Sequence, residues 1–167
     1  MVVVIWGVAA VGKTTIGKLL AQELGWRFYD ADDFQPAANI EKMQRGEPLT
    51  DEDRGPWLET LRQLIERLLA AKENSVLACS ALKKKYRDAL RTGPEVKFVS
   101  LRASRSRIAA QLRSRRGHFF DPKLLESQFG DFEEPAGDED SVVFKLAENP
   151  NQLAKQIANS LREAANE

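Results

Sequence analysis

The sequence predicts an α/β protein: a parallel sheet with helices on both faces. Short apolar runs of β-branched and aromatic residues alternate with helical patterns along the whole chain. The first run, VVVIW, leads into a glycine-rich loop, and that loop opens directly into a helical pattern. This strand–loop–helix order is the start of a βαβ unit.

The elements follow in order. VVVIW at 2–6 is the first strand, and 13–24 is a helix beginning at the loop's end. A second strand is expected at 26–29, ending in three aspartates within four residues. Pro36 and a helical stretch follow. The segment 57–71 is a helix, with Leu58, Leu61, Leu64, Ile65, Leu68 and Leu69 on one face. A strand at 76–79, a helix at 83–91, a strand at 97–101 and a helix at 104–115 come next, the last with Ser104 as its N-cap. The segment 117–135, polar and rich in Phe and Glu, reads as a flap. A strand at 142–146 and a helix at about 151–164, packed on the sheet, complete the set.

The 167 residues suit one domain, 1–167. A domain of this size buries roughly 70% of its unfolded surface and needs no staple. One cysteine, Cys79, and one histidine, His118, supply neither a disulfide framework nor a Cys/His zinc site. Cys79, inside an apolar strand, reads as a small buried hydrophobe. Lys plus Arg number 25, as do Asp plus Glu, so no overall charge directs the protein to nucleic acid or an acidic membrane. Charge is uneven locally: 83–116 is basic and 126–140 acidic. No signal segment or membrane span is recognisable, and a soluble, cytoplasmic protein is expected.

In open parallel sheets ligands gather beyond the strands' carboxyl ends. The segments to inspect are therefore 7–15, 30–33, 80–84 and 102–104. The first, from Gly7 through Val8, Ala9, Ala10, Val11 and Gly12 to Lys13 and Thr14, matches GxxxxGK(S/T) between a strand and a helix. Its glycines let successive N–H groups turn towards phosphate oxygens, and the helix adds its positive end. Lys13 is expected to reach the β- and γ-phosphates, Thr14 to ligate Mg²⁺, and Thr15 to support the α-phosphate. ATP with Mg²⁺ is the implied pair.

Three classes of protein use such a loop. A regulatory GTPase needs an Asn-Lys-x-Asp guanine reader, which the chain lacks. A motor-type ATPase places acidic residues after a buried strand, whereas 76–79 leads into Ser80 and Ala81. A small kinase remains. Its acceptor hydroxyl is a weak nucleophile until a carboxylate orients it and takes its proton. Asp30 and Asp32, alternating at the end of the second strand, face one way if the strand continues. Asp32 is assigned the base, and Asp30 a place beside Thr14 at the metal. Asp33 reads as a helix cap.

The blocks "YDADDFQPAANIEKMQRGEPLTDEDRGPWL", "ACSALKKKYRD" and "RRGHFFDPKLLESQF" resemble the gluconokinases, a branch of the shikimate-kinase-like and nucleoside-monophosphate-kinase-like P-loop kinases. The resemblance runs from the phosphate loop to about Pro135. It implies a three-layer sandwich around a five-stranded parallel sheet in the order 2-3-1-4-5, a lid at about 115–135, and often a homodimer. It also implies ATP-dependent phosphorylation of D-gluconate at the C6 hydroxyl. Gluconate, a carboxylate with a row of hydroxyls, calls for cations and hydrogen-bonding groups together. By resemblance Ser80 and Lys83 contact it, with Arg54 and Arg87 as contributors; Lys85 belongs to a solvated helix face. Arg115 matches the family's lid-proximal arginine, the cation that closure brings to the transferring phosphoryl group. Arg116 comes next, and Gly117 is a candidate hinge. Arg105, Arg107 and Arg113 are expected to be exposed. His118, between Gly117 and Phe119, either orders the lid or touches the substrate. Gln35 stands where the family commonly has His. Two alternatives stay open: a kinase of the same fold acting on shikimate or a nucleoside monophosphate, and a non-catalytic ATP-binding module.

Overall fold

The computed structural model describes residues 1–114 and 122–166. Five strands, β1 (Val2–Trp6), β2 (Arg27–Asp30), β3 (Ser75–Ala78), β4 (Val96–Arg102) and β5 (Ser141–Lys145), form one sheet in the order β2-β3-β1-β4-β5. Every pairing is parallel. The order is the one the resemblance implies.

β1 is the central strand because all five of its residues are apolar and fully buried. Its side chains alternate between two cores. Val2, Val4 and Trp6 pack against α3 (Asp51–Ala70) and α4 (Lys84–Leu90). Val3 and Ile5 pack against α1 (Lys13–Leu24), α5 (Arg105–Ser114), α6 (Pro122–Asp131) and α7 (Pro150–Ala164). Helices on both faces follow from that alternation. A short α2 (Ala37–Gln44) follows β2 after a 3₁₀ turn, Ala31–Phe34.

Local chemistry sets the helix ends. Thr50 and Asp53 form a capping box, each side chain accepting from the other's main-chain N–H. The helix therefore begins at Asp51, upstream of the expected Trp57, and carries Pro56 within it. Ser104 caps α5 as expected, its Oγ accepting from the Arg107 N–H at 3.2 Å. Asn149 caps α7 through two such bonds, with Pro150 in the first turn.

The expected flap is in part an ordered helix. Leu124 and Leu125 of α6 are buried, and Phe132 stacks on Trp6 with ring centroids 5.7 Å apart. Those apolar residues, dispersed among polar ones, bind the segment to the core.

Arg87 is fully buried on α4 and is a strut rather than a ligand. Its guanidinium makes a two-pronged pair with buried Glu139, at 2.5 and 2.9 Å, and stacks 4.1 Å from the Trp6 ring. It also donates to the Ala81 and Leu82 carbonyls, holding the segment that follows β3. Arg87 holds the Glu139 carboxyl below its ordinary value of 4.5. A carboxyl lowered by folding contributes stability above its unfolded pKa and loses it as pH falls through the folded value. Glu139→Ala leaves a buried cation unpaired and is expected to cost about 3–5 kcal/mol in urea unfolding at neutral pH. The difference from the parent protein should shrink as pH falls below 4.5.

Candidate active site

The sheet's register brings two sequence-distant segments to one level. Ala78 of β3 is paired with Ile5 of β1 on one side and Asp30 of β2 on the other. Two strand spacings, roughly 9–10 Å, therefore separate the root of the phosphate loop from Asp30. Between and above them lies a cleft of about 350 Å³, a volume suited to a small molecule.

The loop forms one end of the cleft. Gly7 has φ 154°, and a Cβ there would meet the Leu101 carbonyl oxygen at 2.7 Å, so only glycine lets the chain leave β1 beside β4. Ala10 and Gly12 also have positive φ, 60° and 103°. No side chain caps α1 at Gly12, and its first turn carries no acid. That N-terminus is thus open to an anion. Ala9, Ala10, Lys13 and Thr14 line the cleft; Val11 is buried behind it and Thr15 is exposed. Lys13 Nζ donates to the Val8 carbonyl at 2.8 Å, so its ammonium folds back across the loop.

Opposite stand the carboxylates. The Thr14 hydroxyl donates to Asp30 Oδ2 at 3.1 Å, joining loop and second strand. Asp30 Oδ1 accepts from the Asp32 N–H at 3.0 Å and caps the 3₁₀ turn. Asp33 does not cap the helical stretch after Pro36 as expected: α2 has Pro36 at its N-cap and no side-chain cap. Asp32 reaches the cleft from that turn, not from a continued strand; the turn is pinned by Trp57, whose indole N–H donates to the Ala31 carbonyl at 2.7 Å. Asp32 is open to the cleft yet crowded by protein on its other sides. That crowding, then the Asp30 carboxylate, raises the Asp32 carboxyl above its ordinary pKa, while the Lys13 ammonium opposes the shift.

Ser80 and Arg54 line the cleft as expected. Arg54 is mostly buried, and its Nη1 donates to the Tyr86 hydroxyl at 2.9 Å and Asp131 Oδ2 at 3.2 Å. Lys83 is not on the cleft wall: its ammonium pairs with Asp51 at 3.0 Å and Asp131 at 3.7 Å, tying α3 to α6. Arg87 is removed from the site by its burial against Glu139. Lys85 also pairs with Asp51. Arg107 is not exposed as expected, because its guanidinium holds the Leu146 and Ala147 carbonyls at 2.9 and 2.8 Å. Arg115, Arg116, Gly117 and His118 lie outside the described residues. Cys79 lines the cleft from within the core, and burial pushes its thiol up to about 12, so it stays protonated.

Sequence reasoning missed the residues that shape the far wall: Ile40 and Met43 of α2, Leu49, and Trp57. It also missed Gln128 of α6, whose Oε1 accepts from the Ala9 N–H of the phosphate loop at 2.5 Å. The blocks quoted above contain all five, but no local pattern singles them out.

The oxygen donors Thr14 Oγ1 and Asp30 Oδ2 suit a hard divalent cation that takes its remaining ligands from phosphates and water. Among the described residues no three His, Cys, Asp or Glu side chains form a metal cage of their own.

Comparison with known proteins places this arrangement. The family model for shikimate kinase matches residues 9–162. A thermosensitive gluconokinase of Escherichia coli is 45% identical over 84% of this chain and 75% of its own. An unliganded sugar kinase from Janibacter superposes with TM-score 0.91 at 41% identity, covering 96% of this chain and 94% of that one. A gluconokinase from Sinorhizobium meliloti superposes with TM-score 0.85 at 37% identity, over 98% and 93%. A shikimate kinase from Acinetobacter baumannii, at 14% identity and TM-score 0.58, shares the fold. With its loop, its strand order and its near-full-length likeness to these enzymes, the chain belongs to the gluconokinases, within the shikimate kinase family of P-loop kinases.

Proposed function

We propose that the protein transfers the γ-phosphoryl group of ATP to the C6 hydroxyl of D-gluconate, giving 6-phospho-D-gluconate and ADP. One observation carries the chemistry: a phosphate loop and a carboxylate with a raised pKa share a single cleft, linked by the Thr14–Asp30 bond.

In this reading the loop N–H groups and the α1 N-terminus cradle the β-phosphate, and Lys13 swings from the Val8 carbonyl to the β- and γ-oxygens. Thr14 and Asp30 hold Mg²⁺, which when bound neutralises the phosphate oxygens and aligns donor with acceptor. Asp32 orients the C6 hydroxyl and takes its proton as the new P–O bond forms. Arg54 offers its guanidinium to the gluconate carboxylate, and Ser80 hydrogen-bonds a hydroxyl. The α6 segment acts as part of a lid, since Gln128 must release the Ala9 N–H for a phosphate oxygen to take it. Arg115, as the cation for the transferring phosphoryl group, and His118, as a substrate contact, complete the proposal on the resemblance alone. A single domain, a cytoplasmic setting and the homodimer implied by the sequence blocks are parts of the same proposal.

A coupled assay for ADP release across gluconate, shikimate and nucleoside monophosphates tests it. Turnover with gluconate above the ATP-only background is expected; turnover with another acceptor alone would reassign the substrate. Asp32→Asn is expected to lower kcat by about 10²-fold or more while ATP binding, measured by calorimetry, is kept. An unaltered kcat would take the base role from Asp32. The pH profile has a definite sign as well. Asp32 works only when deprotonated and its pKa is raised, so kcat/KM should fall as pH drops through a value above the ordinary 3.8. That acid limb should vanish in Asp32→Asn.

A further inference from the structure

Gln35 and Asn39 form a unit that the reading above leaves without a task. Asn39, on α2, is only 4% exposed, and its side-chain nitrogen donates twice. One bond goes to the Asp53 main-chain carbonyl and the other to Gln35 Oε1, both at 2.9 Å. A main-chain carbonyl only accepts, so the first bond settles which end of the Asn39 amide faces inward. That nitrogen has only donors to give Gln35, so the Gln35 amide must present its oxygen to it. The carbonyl at the root of this chain is itself held, because the Asp53 side chain closes the capping box with Thr50 and pairs with Lys42 at 2.7 Å.

With Oε1 turned onto buried Asn39, Nε2 and its two N–H donors stand on the opposite corner of the planar amide. Gln35 lines the cleft, and its main-chain N–H bonds the Asp32 carbonyl at 3.2 Å, so it adjoins the 3₁₀ turn that carries the base. Among the described residues Nε2 has no protein acceptor.

We infer that Gln35 is a specificity-determining residue of the acceptor site, donating from Nε2 to an oxygen of the sugar acid, and that Asn39 is the residue that positions it. The inference rests on the gluconate reading and adds the polarity of this wall. Asp32 takes an O–H from the acceptor, and Gln35 gives an N–H to an oxygen lone pair beside it. A polyhydroxy acid satisfies both at once. An acceptor with no lone pair at that point leaves a donor unpaired against the wall, which is where strong discrimination originates. Glutamine does this without carrying charge, whereas the histidine common in the family changes charge near neutral pH.

Steady-state kinetics of the full chain with gluconate and ATP test the inference. Gln35→Glu keeps an oxygen for Asn39 and replaces only the cleft-side donor by an acceptor; Gln35→Met, of similar length, removes the donor without adding charge. Both are expected to raise KM for gluconate at least ~10-fold while KM for ATP stays within about 2-fold. Gln35→His, which restores a ring N–H donor, should recover most of the loss. Asn39→Ala frees the amide to turn and should raise KM for gluconate with little change in kcat, a split that general loosening of the fold would not produce. Thermal unfolding checks that variant, and the Gln35 pair carries the test if it is unstable. Wild-type turnover of gluconate with an unchanged KM in both Gln35→Glu and Gln35→Met would overturn the inference and leave the proposed function standing. A wild-type protein that leaves gluconate untouched would instead overturn the function, and this inference with it.

Discussion

The hydroxyl of Thr14 and the carboxylate of Asp30 meet at 3.1 Å, and the whole site is organised around that contact. It joins the first turn of α1 to the end of β2, two segments on opposite sides of the cleft. The contact exists because β3 lies between β1 and β2, with Ala78 paired to both Ile5 and Asp30. Parallel strands end on one edge of a sheet, so whatever follows each of them is gathered there. A different strand order would leave both segments intact and set them far apart.

Around that edge, most of the charged side chains hold the structure up. Arg87 and Glu139 are paired in the core beneath the segment after β3, and Lys83 spans Asp51 and Asp131. Arg54 is the cation that reaches the cleft wall from this group, and it does so under restraint from Tyr86 and Asp131. A guanidinium kept in place by two partners loses little freedom when it meets a carboxylate, which favours recognition. The same economy appears at Gln35, where Asn39 removes one of two amide orientations. The basic run after Ser80 is thus mainly a set of fasteners.

The α6 helix couples these two roles. Its buried Leu124 and Leu125 attach it to the body of the protein, its Asp131 restrains Arg54, and its Gln128 meets the phosphate loop. One element therefore touches the phosphate loop and the Arg54 side of the cleft together. Movement of α6 would change both ends of the cleft at once, which suits a reaction that must exclude water while phosphate is transferred.

Residue order alone specified whatever depends on near neighbours. The phosphate loop, the β-former runs and the Ser104 cap are patterns a few residues long, and each is found where its pattern placed it. The capping box at Thr50 is equally local, although the apolar periodicity of the helix is legible only from Trp57. Longer-range pairings had no such signature. Arg87, within a basic run, reads as a contributor to the substrate site until Glu139, 52 positions away, folds against it. Gln128 reaches Ala9 across 119 positions, and Trp57 fastens the turn that carries Asp32 from 26 positions away. Packing chose those partners, because a buried polar group must find a mate wherever the chain brings one, and sequence separation has no bearing on that requirement.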